Sequence, residues 1–306
     1  TIQAPGFMGL NRQDSSVGLD NGYATVADNC IIDKFGRIGA RKGWSAKHSS
    51  LGALTDNVEA IGELIDNSGN SYVVAAGSNK LFKLVGSTLS ELTYGGGGVA
   101  PTISANHWQM AALNGCLYLY QAGHDPLVFD PSVSSTTYRR ISEKTGYLGT
   151  VQNAHCVISA YGRTWSANTS IDKNTIQFSD LKAGHVLTTG TAGTLDVAQI
   201  WPNGADEIIA LAAHNGFLMI FGRRQILIYQ GARDPSTMSL ADAISGVGCA
   251  SRDSVVVTGG DVLFLSDTGV RALMRVIQEK SAPMREISLN VKDDLIKDVS
   301  AEQVAD

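Results

Sequence analysis

The stretch DEIIALAAHNGFLMIFGRRQILIYQ, from Asp206 to Gln230, contains three short apolar runs separated by two tight turns. Asn215-Gly216 between two such runs indicates a β-hairpin, because both central residues of a type I′ turn take a positive φ. The runs FLMIF and ILIY are rich in residues that favour strands and are bounded by turn residues. The stretch therefore predicts a small antiparallel sheet.

The same plan recurs along the chain. Comparable strands begin near residues 58, 107, 154, 206 and 253, at spacings of 49, 47, 52 and 47 residues. Units of about 50 residues with three or four antiparallel strands are the size of a β-propeller blade. We therefore predict an all-β fold with a β-propeller of five blade-like units. A stack of β-sandwich domains, each of about 100 residues, is the alternative architecture.

The two ends of the chain differ from this repeat. Residues 1–50 have too few apolar residues for a core of their own and are predicted to form an extended N-terminal arm, with a hairpin-like turn at Asp33–Gly36. Residues 51–285 are assigned to the blades. Residues 286–306 are predicted to be a short helical segment, in which Ser300–Gln303 is interpreted as a capping box that opens a helix. A helix opening so near the last residue suggests that the protein continues in a longer chain.

Composition and charge exclude several classes of protein. With 43% apolar and 17% charged residues among 306, the chain is predicted to be globular rather than disordered. Its longest apolar run, Ile208 to Ala213, is far shorter than the roughly 20 residues of a membrane-spanning helix, so no membrane is expected. The net charge of −5 combines an excess of +2 over residues 1–50 with −7 over the remainder. This balance disfavours tight DNA binding.

The sequence contains no pattern typical of a catalytic, metal or cofactor site. Its histidines lack the spacing of zinc ligands, and no G-x-S-x-G nucleophile elbow occurs. The run Gly95–Gly98 lacks the lysine and hydroxyl residue of a P-loop and is predicted to be an inter-blade loop. The cysteines are scattered and are predicted to be reduced, small core residues: Cys30, Cys116, Cys156 and Cys249. We therefore expect no enzymatic activity, no cofactor and no metal.

A sialidase-like or glycan-binding propeller is the first alternative. Sialidases carry repeated Asp-box turns, S-x-D-x-G-x-x-W, which Ser266–Gly269 resembles without the aspartate at the third position or the tryptophan. A cluster of carboxylates with three arginines at the propeller axis would favour this alternative. Arg223-Arg224 could clamp a carboxylate, although a basic pair in an exposed turn is the ordinary interpretation. An intracellular propeller adaptor that binds a peptide is the second alternative.

Two parts of the chain resemble a known family. The first is GLDNGYATVADNCIIDKFGRIGARKGW, from Gly18 to Trp44. The second is FLMIFGRRQILIYQG, from Phe217 to Gly231, followed by GVGCASRDSVVVTGGDVLFLSDTGVRAL, from Gly246 to Leu273. Together they resemble the tail nozzle proteins, or tail tubular proteins B, of short-tailed bacteriophages. The layout of the rest of the chain is similar to that of the family as well.

The resemblance implies a structural virion protein with a β-propeller in each subunit, assembled in the bacterial host cytoplasm as a ring, usually a homohexamer, in the virion tail. The expected partners are further copies of the chain, the portal-adaptor protein, and tail fibre or spike proteins. Viral DNA would be retained in, and ejected through, a channel without specific binding. Family members are much longer than this chain. The family pattern contains no catalytic residues, and the matched positions are assigned as structural or inter-subunit contacts: Gly36, Arg37, Gly39, Arg41 and Trp44.

The residues themselves suggest how the arm and the channel would work. We expect Trp44, Ile31 and Ile32 to be buried against the blades or an adjacent subunit, where Arg37 and Arg41 would meet acidic groups. We also expect some carboxylates near blade turns to face the channel and to keep DNA from adhering. The candidates are Asp206, Glu207, Asp242, Asp253 and Asp261.

Overall fold

Short strands make up most of the regular structure of this chain. The computed structural model describes residues 6–33, 35–45, 54–104, 108–169, 171–273 and 287–302. Residues 47–259 form one compact unit, and residues 1–46 together with 260–306 form a second, discontinuous one. The division of the chain into arm, blades and helical segment stays a prediction.

The N-terminal residues form two small strand pairs. Strand β1 (Gly9–Leu10) pairs in parallel with β2 (Tyr23–Ala24). Strand β3 (Cys30–Ile32) pairs antiparallel with β4 (Ile38–Ala40), and this register places Ile31 opposite Gly39. A two-stranded ribbon of this length has little stability of its own, because it has no layer to pack against.

Residues 47–259 contain four consecutive antiparallel groups of four strands, each group in chain order. The first group has strands β5 (Ala60–Ile65), β6 (Ser71–Gly77), β7 (Lys80–Val85) and β8 (Thr88–Tyr94). The second has β9 (Trp108–Leu113), β10 (Cys116–Gln121), β11 (Leu127–Phe129) and β12 (Thr137–Arg140). The third has β13 (Ala154–Ala160), β14 (Arg163–Thr169), β15 (Thr175–Phe178) and β16 (Gly193–Asp196). The fourth has β17 (Ile208–His214), β18 (Phe217–Gly222), β19 (Gln225–Gln230) and β20 (Ser239–Ser245), and strand β21 (Val256–Val257) follows.

The first strands of these groups contact one another in succession. Strand β5 contacts β9, β9 contacts β13, β13 contacts β17, and β17 contacts β21. Sequential sheets whose first strands adjoin in this way have the arrangement of propeller blades, whereas a β-sandwich pairs two sheets face to face. The predicted fold class is confirmed: the chain is all-β, with propeller blades of roughly 50 residues, an extended N-terminal arm and a short helical C-terminal end.

The second strands of the second and fourth blades are buried on both faces. Every residue of β10 is buried, and so is every residue of β18 after Phe217. Such strands are apolar throughout rather than alternating, because each face packs against another layer. Trp165 in the third blade and Ile220 in the fourth belong to one shared core, and neither is exposed to solvent. Burial of each such side chain contributes roughly 1.5–3 kcal/mol to stability.

The early hairpin turns have the backbone geometry that the sequence predicts. Asn114 and Gly115 have φ of 47° and 76°, and Asn215 and Gly216 have φ of 50° and 86°. Two consecutive positive φ angles define the type I′ turn, whose twist matches that of the flanking strands.

The first two blades are joined at their last strands into one eight-stranded sheet, which the sequence did not predict. Strands β8 and β12 pair in parallel over two residues. Beside this pairing, the Tyr94 hydroxyl donates to the Glu143 carboxylate at 2.6 Å and accepts from Arg140 Nη1 at 2.6 Å. A Cβ on Gly96 would overlap the Glu143 carboxylate. Gly96, in the predicted loop Gly95–Gly98, thus lies directly against this hydrogen-bond network.

The C-terminal residues form a hairpin and a helix. Strand β22 (Val262–Ser266) pairs antiparallel with β23 (Gly269–Ala272). Helix α1 (Lys292–Glu302) begins eight residues before Ser300, so the predicted capping box at Ser300–Gln303 is wrong, and it no longer supports the inference of a longer chain. Acidic residues near a helix N-terminus interact favourably with the helix dipole, and Asp293 and Asp294 occupy the first turn of α1.

Four 3₁₀-helices complete the regular structure of the described residues. They span Ile141–Glu143, Pro235–Thr237, Arg252–Ser254 and Leu289–Val291. The second is capped by Asp234, whose side chain accepts from the backbone N–H of Ser236.

Candidate functional site

The N-terminal hairpin β3–β4 carries the five residues that the family resemblance singles out. Its turn is organised by Asp33, whose carboxylate accepts hydrogen bonds from the backbone N–H groups of Phe35 at 2.8 Å and Arg37 at 3.0 Å. The Arg37 guanidinium also pairs with it, at 2.7 Å from both Nε and Nη2. The backbone hydrogen bond from Arg37 is the largest cause that holds the pKa of Asp33 below its usual value. Arg37 therefore meets an acidic group within its own turn.

Gly36 lies where two backbone segments nearly touch. Its φ is +74°, and a Cβ at this position would lie 2.8 Å from both Gly6 Cα and the Phe7 nitrogen. The Phe7 N–H donates to the Gly36 carbonyl at 2.9 Å. A side chain cannot fit there, so Gly36 has a structural requirement for glycine. Gly39 faces Ile31 across the hairpin and is not constrained in this way, because its Cβ would meet only the Ile31 side chain, at 3.7 Å.

The apolar side chains of the arm are exposed. Trp44 is 87% exposed and Ile31 is 54% exposed in the single chain. Ile32 is only partly exposed. The Arg41 guanidinium lies over the Trp44 ring, 5.2 Å from its centroid, in a cation–π contact rather than an ion pair. Burial of these residues against the blades or an adjacent subunit stays a prediction.

All five carboxylates predicted to face the channel have partners within the protein, and Asp242 and Asp261 each accept from the backbone N–H group of the next residue. The Asp206 carboxylate accepts from the backbone N–H groups of Arg223 and Arg224, at 3.0 and 2.9 Å, and so holds the β18–β19 turn. The pair Arg223-Arg224, of which only Arg224 is exposed, thus binds a carboxylate through its backbone. The Glu207 carboxylate pairs with Lys173 at 2.9 Å, and Asp253 pairs with Arg252 at 3.0 Å.

The Arg252 side chain joins two blades near their first strands. Its Nη2 donates to the Trp108 carbonyl of β9 at 3.2 Å, and its Nη1 donates to the His155 carbonyl of β13. The side chain is 9% exposed. The three-arginine cluster that would favour a sialidase is not found on the first strands, since β5, β9, β13, β17 and β21 contain no arginine. Arg252, on the 3₁₀-helix before β21, is bound to backbone carbonyls and Asp253.

A polar cleft lies beside the first three blades, and no motif in the sequence pointed to it. It has a volume of about 440 Å³. We call it the inter-blade cleft; it is bounded by the β5–β6 turn (Asp66–Asn70), the β9–β10 turn (Asn114–Gly115), Asp130 with Lys144, and a third-blade loop that carries Lys182 and His185.

The interior of the inter-blade cleft contains an ion pair and a histidine. Lys144 Nζ pairs with the Asp130 carboxylate, and their side chains are 14% and 13% exposed. Burial opposes the charged form of Asp130, but hydrogen bonds from Lys144 and Ser132 outweigh it and lower the pKa of this carboxyl. Burial, followed by the charge of Lys144, lowers the pKa of His185. His185 is therefore neutral at pH 7, and its Nδ1 lies 3.4 Å from the Tyr118 hydroxyl.

The cysteines are free thiols. Cys116, Cys156 and Cys249 are buried, as predicted, but Cys30 is partly exposed, so the prediction that it is a core residue is wrong. Burial raises the pKa of Cys156 to about 12, so this thiol stays protonated and unreactive. Among the described residues, no three His, Cys, Asp or Glu side chains are grouped so that they could hold a metal ion. None of the helices described is long and apolar enough to cross a membrane.

No protein-family model matches the chain, and no curated protein matches it. Among solved structures, it is similar to PorZ, a bacterial surface component of the type-IX secretion system of Porphyromonas gingivalis, at 12% identity and a TM-score of 0.39, over 71% of this chain and 27% of that one. It is also similar to the extracellular domain described for a hybrid two-component system of B. thetaiotaomicron, at 11% identity and a TM-score of 0.44, over 71% and 28% of the two chains. A third similar structure is BBS1N, solved with ARL6DN, at 12% identity and a TM-score of 0.44, over 79% and 71% of the two chains. The chain thus spans little more than a quarter of the length of the first two, and similarities this distant carry no argument about function.

Proposed function

We propose that the chain is a structural subunit of the tail nozzle ring of a short-tailed bacteriophage. In this proposal the ring is a homohexamer in the virion tail, its neighbours are the portal-adaptor protein and tail fibre or spike proteins, and its channel serves DNA retention and ejection. The proposal starts from the resemblance of Gly18–Trp44, Phe217–Gly231 and Gly246–Leu273 to that family.

The observation that carries the proposal is the exposed apolar hairpin. Trp44 at 87%, Phe35 at 68% and Ile31 at 54% are exposed around a two-stranded ribbon. A soluble protein rarely leaves apolar side chains grouped in this way unless another surface covers them. The arm carries a charge of +2 and the remainder of the chain −7, so the arm of one copy is electrostatically complementary to the body of another. Further copies of the chain are therefore the best-matched partner for the arm.

The charge of the chain also suits a conduit for DNA. Each phosphate neutralised by a lysine or arginine adds a salt-sensitive contact that would hold the duplex in place. A subunit with a net charge of −5 offers little of this attraction. We expect the protein to bind duplex DNA only weakly and without sequence preference, and saturable nanomolar binding in a gel-shift titration at low salt would contradict this expectation.

The mass of the assembled particle tests the proposal. Mass photometry should detect a species six times the mass of one chain, and negative-stain electron microscopy should resolve it as a six-fold ring with a central opening. A protein that stays monomeric at every concentration tested would overturn the proposal. A monomer that cleaves sialosides would instead establish the sialidase-like alternative.

A further inference from the structure

The inter-blade cleft has fixed walls. The Asp66 carboxylate accepts hydrogen bonds from the backbone N–H groups of Ser68 and Asn70, each at 2.8 Å, and from the Asn70 side chain at 2.8 Å. The Asn114 amide donates to the Lys182 carbonyl at 3.0 Å and so links the second blade to the third. Walls held by such bonds lose little conformational freedom when a ligand binds, which favours affinity.

The charges in the cleft balance. Asp66 and Asp130 contribute two negative charges, and Lys144 and Lys182 contribute two positive charges. His185 adds none at pH 7, because burial and Lys144 lower its pKa. An ionic ligand would gain no net attraction from this set of groups, whereas a neutral polar ligand would meet donors and acceptors on every side.

Several polar groups remain available to such a ligand. Asp66 and Asp130 are engaged within the walls, but the Lys182 ammonium and the Asn67 amide make no side-chain hydrogen bond with the residues that the structure describes, and both border the opening. Lys144 uses one N–H group on Asp130 and a second on the Cys116 thiol, which leaves one for a ligand. Tyr72 adds an aromatic side chain to the wall.

The size of the cleft limits what it can hold. Its volume of about 440 Å³ falls in the lower part of the range for small-molecule sites, about 300–1,000 Å³. Such sites are mostly apolar with few polar groups, whereas this one is lined chiefly by amides, hydroxyls and charged groups. A ligand that matches it must be small and must carry hydrogen-bonding groups over most of its surface.

We propose that the inter-blade cleft binds a neutral polyhydroxylated molecule of monosaccharide or disaccharide size. The Lys182, Lys144 and Asn67 side chains donate hydrogen bonds to its hydroxyl oxygens, and Asn67 also accepts from its hydroxyl groups. The inference concerns a surface of the blades and does not depend on assembly into a ring.

Nuclear magnetic resonance of the ¹⁵N-labelled full chain tests this inference, with glucose, galactose, N-acetylglucosamine and maltose added separately. At least one sugar should shift the amide signals of Asn67, Asn70, Lys182 and His185 in a saturable manner. The double variant Asn67→Ala with Lys182→Met should weaken that binding about tenfold or more, the loss expected for removing two hydrogen-bonding groups. Lys80→Met, which removes a partly exposed lysine of the first blade that pairs with Glu91 outside the cleft, should leave it unchanged.

The results of these titrations distinguish a neutral sugar ligand from an anionic one. If none of the four sugars shifts these signals, or if the double variant binds as well as the wild-type chain, the inference is wrong. Inorganic phosphate and acetate serve as ionic probes in the same titration. Saturable binding of either anion in the cleft, without binding of a sugar, would overturn the conclusion that the ligand is neutral.

Discussion

Two hairpins in this molecule are closed by the same turn. In Asp33–Arg37 and in Asp66–Asn70, the aspartate accepts hydrogen bonds from the backbone N–H groups two and four residues later, and from the side chain of the latter residue. Each turn has a glycine at its fourth position, and Gly36 and Gly69 have φ of +74° and +85°. The turns thus share their chemistry and their backbone conformation.

The strands that flank these turns differ in burial on one face only, because Ile65 beside the second turn is itself 62% exposed. Around the second turn, Leu64 and Val74 are 1% and 0% exposed, because β5 and β6 belong to an eight-stranded sheet. Around the first turn, Ile31 and Ile38 are 54% and 47% exposed. The difference teaches that an Asp-x-x-Gly turn closes a hairpin but does not bury it. Burial depends on what the flanking strands pack against, and β3–β4 needs a partner that the second hairpin does not.

Removing the exposed apolar side chains of the first hairpin should have the largest effect. We expect Ile31→Ser with Trp44→Ser to convert rings into monomers while the melting temperature of the monomer stays the same, because both side chains are exposed in the single chain. Size-exclusion chromatography with light scattering measures the first effect and calorimetry the second. Ile171→Ser is the control, because Ile171 is 97% exposed in the blade unit and lies outside the arm. Rings that persist in the double variant would contradict the role given to this hairpin.

The two turn glycines should differ in their tolerance of a side chain. Gly69→Ala places a Cβ in open space and should cost about 1 kcal/mol, from the positive φ alone. Gly36→Ala carries the same strain and also forces a Cβ against Gly6 and Phe7. We therefore expect the larger loss of stability at Gly36. For each variant, this loss is measured as faster amide hydrogen exchange across the two strands that flank the substituted turn. Equal effects of the two substitutions would show that the close backbone approach at Gly36 does not constrain the arm.

Substitution of the two turn aspartates should have different effects, one on ring assembly and the other on the stability of the blades. Asp33→Ala removes the acceptor that orders the first hairpin, so ring formation should weaken while the melting temperature of the blades is unchanged. Asp66→Ala should lower that melting temperature by a few degrees and leave ring formation intact. Calorimetry measures the melting temperature of both variants, and mass photometry measures their ring formation. Equal effects of the two substitutions would contradict this prediction.

Acid should loosen both turns together, and this is the smallest effect we expect. The strongest cause of the lowered pKa of Asp33 is the backbone hydrogen bond from Arg37, and for Asp66 it is the side chain of Asn70. A carboxyl group whose pKa is lowered by folding stabilises the fold above its unfolded value, here 3.8, and this stabilisation is lost as the pH falls through the folded pKa. The amide signals of Arg37 and Asn70 should therefore lose protection only below about pH 4. Loss of protection at neutral pH in both turns would mean that the carboxylates do not order them.

The blades can be predicted from the sequence because the patterns that specify their strands and turns extend over only a few residues. Alternating apolar runs and turns such as Asn215-Gly216 act over a few residues, and the structure has strands and positive φ angles where they indicate them. The parallel pairing of β8 with β12 depends on Tyr94 and Glu143, which lie 49 positions apart, and no pattern in the sequence marks that they meet. The inter-blade cleft escaped prediction for the same reason, since it combines side chains from three blades.

The other errors have local causes. The motif Ser300–Gln303 is a short and unspecific pattern, and Asp293 with Asp294 in the first turn better indicates where the helix begins. The exposure of Trp44 shows a limit of prediction from composition. Apolar content predicts that a side chain must be covered by another surface, but it does not predict which molecule provides that surface.

The hydrogen bonds of Arg252 have a consequence for how the chain folds during synthesis. The carbonyl groups that it binds precede it by 97 residues at His155 and by 144 at Trp108, so both strands leave the ribosome long before their donor does. Domains fold in units as the chain emerges, and the hairpins of the second and third blades can pair within that interval. The Gln109 side chain can already accept from the Val157 N–H group and join β9 to β13, but the two bonds of Arg252 form only when residue 252 arrives. A nascent chain stalled before that point would carry complete sheets in the second and third blades but would lack the side chain that binds both of their first strands.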